Sequence, residues 1–158
     1  TLPMACQFLG TMLSTIPASF FMQRFGRRVG FTVGMCFGMT AAGLSVYALY
    51  AINFPLLVFA GLLFGVHNAF RQYYRFAATD TASPEFRSKA ISYVLAGGVI
   101  AAFIGPELAK VSIDFFEPVK FAGGYAAVMV VILISMLVMQ FVEIPRPTAA
   151  ERSKSGRQ

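Results

Sequence analysis

Five apolar runs separated by short polar links set the terms for this chain: Thr1 to about Met22, Val29 to Tyr50, about Pro55 to Tyr74, Ala90 to about Leu108, and Phe121 to Val142. A helix rises 1.5 Å per residue, so about 20 apolar residues cross the roughly 30 Å hydrocarbon core of a bilayer. Lipid offers no hydrogen bonds, and a backbone crossing it must satisfy its own polar groups, which a helix does within one segment. The expected fold class is therefore all-α, a polytopic integral membrane protein with five transmembrane helices. Composition agrees: 57% of residues are hydrophobic and 13% charged, and the mean hydropathy is +0.67.

A formal net charge of +6 would suit a nucleic-acid partner, but its placement argues against one. Arg24, Arg27 and Arg28 share the first link, and Arg71, Arg75, Arg87 and Lys89 flank the third. Arg146, Arg152, Lys154 and Arg157 lie in the tail, leaving only Lys110 and Lys120, of 13 Lys and Arg, for the opposite side. Basic links face the cytoplasm, so the first helix starts outside and the tail ends inside. Anionic lipid on the cytoplasmic face is the partner this charge implies.

Cys6 and Cys36 fall inside apolar runs without paired spacing, and they read as small core residues rather than a disulfide or metal site. No cofactor is expected. The chain opens on Thr1 with no signal-peptide pattern, as a piece of a longer protein would.

Within the first span, Gln7, Thr11, Ser14 and Ala18 recur at helical spacing, opposite Leu9, Leu13, Ile16 and Phe20. One face suits a protein interior, where Gln7 and Thr11 are candidate solute contacts, and the other suits lipid. In the second span Gly30, Gly34, Gly38 and Ala42 form a small-residue ridge that lets another helix approach closely. Gly97, Ala101, Gly105 and Ala109 repeat the device in the fourth, with Pro106 able to kink it. The last span is almost evenly apolar, as a peripheral helix would be.

The third span changes character halfway. His67, Asn68, Arg71, Gln72 and Arg75 gather on one side, with Val66, Ala69, Phe70 and Tyr73 opposite. Polar groups entering a membrane helix are costly unless they meet a cavity or a partner. Arg75 snorkels to the interface. His67, Asn68, Arg71 and Gln72 are the substrate-binding candidates. Burial and a neighbouring like charge both disfavour imidazolium, so His67 is expected to act as a neutral hydrogen-bonding group. Arg71 would then attract an anionic or carboxylate-bearing solute. The link from Phe76 to Lys89 reads as a polar connection, with Ser83 as helix cap, Pro84 in the first turn and Glu85 facing the helix dipole.

The stretch Ser19 to Arg28 resembles the signature loop of the major facilitator superfamily, Gly-x-x-x-Asp-Arg-x-Gly-Arg-Arg. Arg24, Gly26, Arg27 and Arg28 match it, whereas Ser19 replaces its first glycine and Gln23 its acid. Pro84-Glu85-x-Arg87 is similar to the loop after that family's helix 4, and Gly105-Pro106 resembles the core of its antiporters' helix 5 motif. The resemblance implies that residues 1–144 are helices 2 to 6 of a twelve-helix transporter, with helix 1 and the C-terminal half missing. Residues 145–158 would begin its central cytoplasmic linker. It also implies a gating role for Arg24, Gly26, Arg27 and Arg28, with Asp80, Glu85 and Arg87 in the facing loop.

The implied function is secondary transport of a small solute by alternating access in a bacterial cytoplasmic membrane, with Gly105-Pro106 pointing toward export. Against proton coupling, Gly61 stands where the antiporters' helix 4 motif carries an arginine. Facilitated diffusion, coupling through His67, and a non-transporting sensor or assembly subunit are the alternatives. An embedded enzyme would need clustered acids, histidines or an activated nucleophile within the spans, and His67 stands alone there. The topology has a direct test: a cysteine placed at position 26 should react with an impermeant probe only from the cytoplasmic side, and labelling from outside would invert the orientation.

Overall fold

The computed structural model describes residues 1–113, 119 and 121–141, and these are helical with short connections. The helices are α1 (Leu2–Phe25), α2 (Arg27–Tyr50), α3 (Phe54–Arg71), α4 (Tyr74–Thr81), α5 (Arg87–Ser112) and α6 (Ala122–Phe141). Among the described residues five stretches are long and apolar enough to cross a membrane, with α3 and most of α4 counting together as Phe54–Thr79. The fold class is therefore the expected one. Lys120 and the tail 145–158, with Arg146, Arg152, Lys154 and Arg157, lie outside the described residues, as does the side chain of Asp80.

Helices α1 and α2 are joined by a single residue. Gly26 has φ +91° and ψ 156°, a region open essentially to glycine, and its N–H bonds the Met22 carbonyl at 2.9 Å. The second turn is looser. Asn53 caps α3 by accepting from the Leu56 N–H at 3.1 Å, with Pro55 in the first turn, while Ile52 takes an unusual positive φ of 51°.

Helix α3 lies between α1 and α2 and packs along both; α6 packs on α2, and α5 touches α4 and α6. Glycines set the first of these distances. A methyl group on Gly65 would enter the α1 backbone, against the Gln7 carbonyl, with the Thr11 nitrogen at 2.7 Å and Gly10 Cα at 2.8 Å. On Gly10 it would meet the Leu62 carbonyl at 2.5 Å, and on Gly61 the Pro3 carbonyl at 2.6 Å. The α1–α3 seam is thus backbone against backbone, the packing small residues permit where lipid supplies no hydrophobic drive.

The α2 ridge works differently. Gly34 and Gly38 make room for side chains of α3: a methyl on Gly34 would lie 2.5 Å from Phe70 Cβ, and on Gly38 2.8 Å from His67 Nδ1. Gly30 faces only the Met22 side chain, where a methyl would lie 2.5 Å from Cγ. Around this seam Ala18, Met22, Phe31, Ala69, Phe70 and Ala77 form the buried core. On α1, Leu9, Leu13, Ile16 and Phe20 point outward, each more than half exposed, as lipid-facing side chains do.

Three details depart from the sequence reading. The third span pauses at Gln72 and Tyr73 and resumes as α4, so part of the expected polar connection is helical. The pause is anchored: the Tyr73 hydroxyl donates to the Thr15 carbonyl at 2.9 Å, and the Tyr74 ring lies 4.5 Å from that of Phe31. Helix α5 begins at Arg87, after a turn in which the Ser83 carbonyl accepts from Phe86 N–H and Arg87 N–H at 2.9 and 3.1 Å. Ser83 therefore opens the turn through its backbone instead of capping the helix directly. Finally, Cys36 is exposed rather than core and Cys6 is half-buried, both free; Met35 and Gly38 take the inward face of α2 beside Cys36.

Three glycines separate close packing from backbone strain. Gly65→Ala should cost at least about 2 kcal/mol, because the α1 backbone cannot give way. Gly30→Ala should cost under about 1 kcal/mol, since only the flexible Met22 side chain must move. Gly26→Ala meets nothing within 4 Å, yet should cost roughly 1–3 kcal/mol through its backbone conformation alone. Thermal unfolding and monodisperse yield of the intact protein in detergent measure all three, and equal losses at Gly65 and Gly30 would contradict the seam.

Candidate functional site

Hydroxyl groups in an apolar helix usually bond the carbonyl one turn back, as Ser45 does with Ala41 and Thr15 with Thr11. Thr11 does more. Its hydroxyl lies 2.9 Å from the Gln7 carbonyl and 3.2 Å from the Gly65 carbonyl of α3, at the point where the two backbones touch. Asn68 Nδ2 reaches Thr11 Oγ1 at 3.4 Å, and Asn68 Oδ1 accepts from Arg71 Nη2 at 2.9 Å. Thr11, Asn68 and Arg71 therefore form one chain, running from the buried seam to an exposed guanidinium.

His67 belongs to the other seam. Its Nδ1 lies 2.7 Å from the Gly34 carbonyl of α2, and the ring occupies the space that Gly38 leaves open. A carbonyl oxygen only accepts, so Nδ1 carries the proton and donates it. One residue thus ties α3 to α2 while the next ties it to α1.

These groups meet at an open cavity of about 400 Å³. Gln7, His67, Asn68 and Arg71 supply its polar side, with Phe64 and Tyr74 above and below them on the same helical run. The facing side is apolar and comes from α5 and α6, including Gly105, Val128, Val131 and Ile132, with Ser135 as a hydroxyl. Of the expected contacts, Thr11 stands behind Asn68 rather than at the cavity, and Gln72 ends α3 as its C-cap without lining it. Gly105 lines the cavity, and among the described residues nothing lies within 4 Å of where a side chain would begin on Gly97 or Gly105. Pro106 sits inside α5 without ending it.

Phe64, Tyr74 and the α6 wall had no counterpart in the sequence reading. A signal existed for the first: Phe64, His67 and Arg71 are spaced as one helical face. The α6 wall had none, because an evenly apolar helix does not reveal which side faces a cavity.

At the hairpin between α1 and α2, Arg28 Nη2 donates to the Gln140 carbonyl at 2.8 Å and to Gln140 Oε1 at 3.3 Å. Cations suit a helix C-terminus, where carbonyls lack intrahelical partners. The hairpin is therefore tied to the end of α6. Arg24 lies 5.7 Å from the Phe25 ring centre, Arg27 is half-buried at the start of α2, and Glu85 and Arg87 are exposed. Lys110 and Glu107 form an acid–base pair at 2.6 Å in α5.

The arrangement is that of a polytopic α-helical membrane protein with a polar strip facing an apolar-walled cavity. The chain belongs to the major facilitator superfamily, whose family model it matches over residues 1–158. It is 35% identical, over 146 residues, to the riboflavin transporter RfnT of Brucella anthropi, an alignment covering 92% of this chain and 37% of that protein. It is also 30% identical, over 157 residues, to the uncharacterized MFS-type transporter YdeG of Bacillus subtilis, covering 96% of this chain and 36% of that one. The chain thus spans just over a third of the length of these relatives. No solved structure matches it. Members of this superfamily are transporters rather than enzymes, and secondary transport is the general function that membership implies.

The Arg28 link should govern turnover. Removing a charged hydrogen bond present in one conformation but not another biases their equilibrium. Arg28→Ala should therefore slow maximal transport by about three- to tenfold while solute affinity stays within about threefold. Vesicle kinetics on the intact transporter check this, and lost affinity at an unchanged maximal rate would contradict it.

Proposed function

We propose that these helices are helices 2 to 6 of a secondary transporter that carries a planar, polar-edged heterocycle of the flavin kind by alternating access across a bacterial cytoplasmic membrane. The observation that carries this reading is the cavity's division into two unlike walls. One wall offers hydrogen-bonding groups in a row along α3, beside the rings of Phe64 and Tyr74; the other is apolar. A flat conjugated ring system needs such a slot, with apolar faces for its surfaces and polar groups for its edge. The 35% identity to a riboflavin transporter supports the same class.

Arg71 fits this solute as well as the anionic one that its charge first suggests. Its Nη2 is held by Asn68, which aims the guanidinium without consuming its other donors. Those donors suit a ring carbonyl, a carboxylate or a phosphate. Gly61 bears on the coupling. Its place against the Pro3 carbonyl leaves no room for any side chain, so an arginine is sterically barred there. The proton-linked arginine of the antiporters therefore has no equivalent at that position, which favours passive carriage or coupling elsewhere in the protein. The resemblance at Gly105-Pro106 favours export as the working direction.

The test is transport of radiolabelled riboflavin by the intact protein in right-side-out and inverted vesicles, with and without a pH gradient. Saturable transport is expected in the wild type. Arg71→Ala should reduce it by about tenfold, the cost of losing a charged hydrogen-bond donor to the solute. His67→Asn should retain transport and its response to a pH gradient. A His67→Asn variant that loses the pH response while Arg71→Ala behaves as wild type would reverse these roles.

A further inference from the structure

The two glycines at His67 fix its chemistry as well as its place. The Gly34 carbonyl, 2.7 Å from Nδ1, takes the ring's one proton when the imidazole is neutral. Gly38 admits the ring against α2, where even a methyl group would approach Nδ1 to 2.8 Å and Cγ to 2.9 Å. The ring is thereby held in one tautomer and one orientation. With Nδ1 turned to the Gly34 carbonyl, Nε2 lies on the far side of the ring from it, and His67 is one of the residues lining the cavity. Among the described residues Nε2 has no hydrogen-bond partner.

Its neighbours on α3 differ from it: Asn68 directs an amide N–H to Thr11 and accepts from Arg71 with its oxygen, and Arg71 has donors alone. Four residues apart on α3, His67 and Arg71 lie on one face, about one turn from each other. The wall therefore presents an acceptor beside a donor. An acceptor left unmet in a desolvated site costs more than a met one contributes, so such a group selects solutes by what they lack.

We infer that His67 Nε2 is a specificity-determining acceptor, which receives an N–H of the solute while Arg71 donates to a carbonyl beside that N–H. The solute class is thereby narrowed to heterocycles with a lactam or imide edge; the imide edge of a flavin, with its N3–H between two carbonyls, is one example. This rests on the flavin-type reading above and deepens it. It also reassigns Gly34 and Gly38 as positioning residues for the histidine, beyond the helix packing that their spacing alone suggests.

Binding of riboflavin and of N3-methylriboflavin to the intact purified transporter tests it, because methylation removes the donor and keeps both carbonyls. Wild-type protein should prefer riboflavin by about tenfold or more, the range of one hydrogen bond with its unmet acceptor. His67→Leu, close in size and without an acceptor, should weaken riboflavin by about tenfold and leave the methylated compound within about twofold. His67→Asn, which restores an acceptor, should recover part of the preference. Equal wild-type affinity for the two compounds overturns the inference with no variant needed, and so do parallel losses of both in His67→Leu. A wild type that binds riboflavin yet shows either result leaves the flavin reading standing. A wild type that binds neither compound overturns both.

Discussion

The contact on which the rest depends is the one between the α1 and α3 backbones at Gly10, Gly61 and Gly65. In lipid, helices gain little from burying apolar side chains against each other, and close van der Waals approach must supply the adhesion. Glycine on both sides gives the closest approach, and here it also brings the Thr11 hydroxyl within reach of the Gly65 carbonyl. Thr11 then supports Asn68, and Asn68 holds Arg71. A steric property of three residues without side chains thus becomes the placement of a charge at a cavity.

The polar strip shows how a membrane protein carries costly groups. An unpaired amide or guanidinium in hydrocarbon would destabilise the fold by several kcal/mol, on the order of its desolvation penalty. Each group on α3 is instead tied back to a backbone or side chain of its own fold, and its remaining capacity is turned to the cavity. His67 leans on α2, Asn68 on α1, and Arg71 on Asn68. The strip thus takes its support from two different helices.

The hairpin end of the bundle is held by a solvated contact. The Arg28 link to Gln140 is exposed, so water competes with it, and its energy is modest. A buried charge pair would cost more to break than this solvated hydrogen bond between a charged and a neutral residue. Gln23 belongs to the same economy, since the hairpin lacks the acid of the family's loop and Arg28 is held by a helix terminus in its place.

Much of this was legible in the chain. Five apolar runs dictated five helices long enough to cross a membrane because hydrocarbon leaves the backbone no other solution. The stretch from Ser19 to Arg28 pointed to the family. Polar side chains midway along an apolar helix marked α3 as the helix that faces a cavity. What the sequence left undecided was partnership. Spacing by four nominated Gly30, Gly34 and Gly38 as a single ridge, but Gly30 meets a flexible methionine, Gly34 a phenylalanine and Gly38 a histidine. It likewise made Gly61 a missing arginine, when the α1 backbone occupies the space a side chain would need. Periodicity reports which residues share a face; what that face touches depends on helices distant in sequence, and only the tertiary structure brings them together.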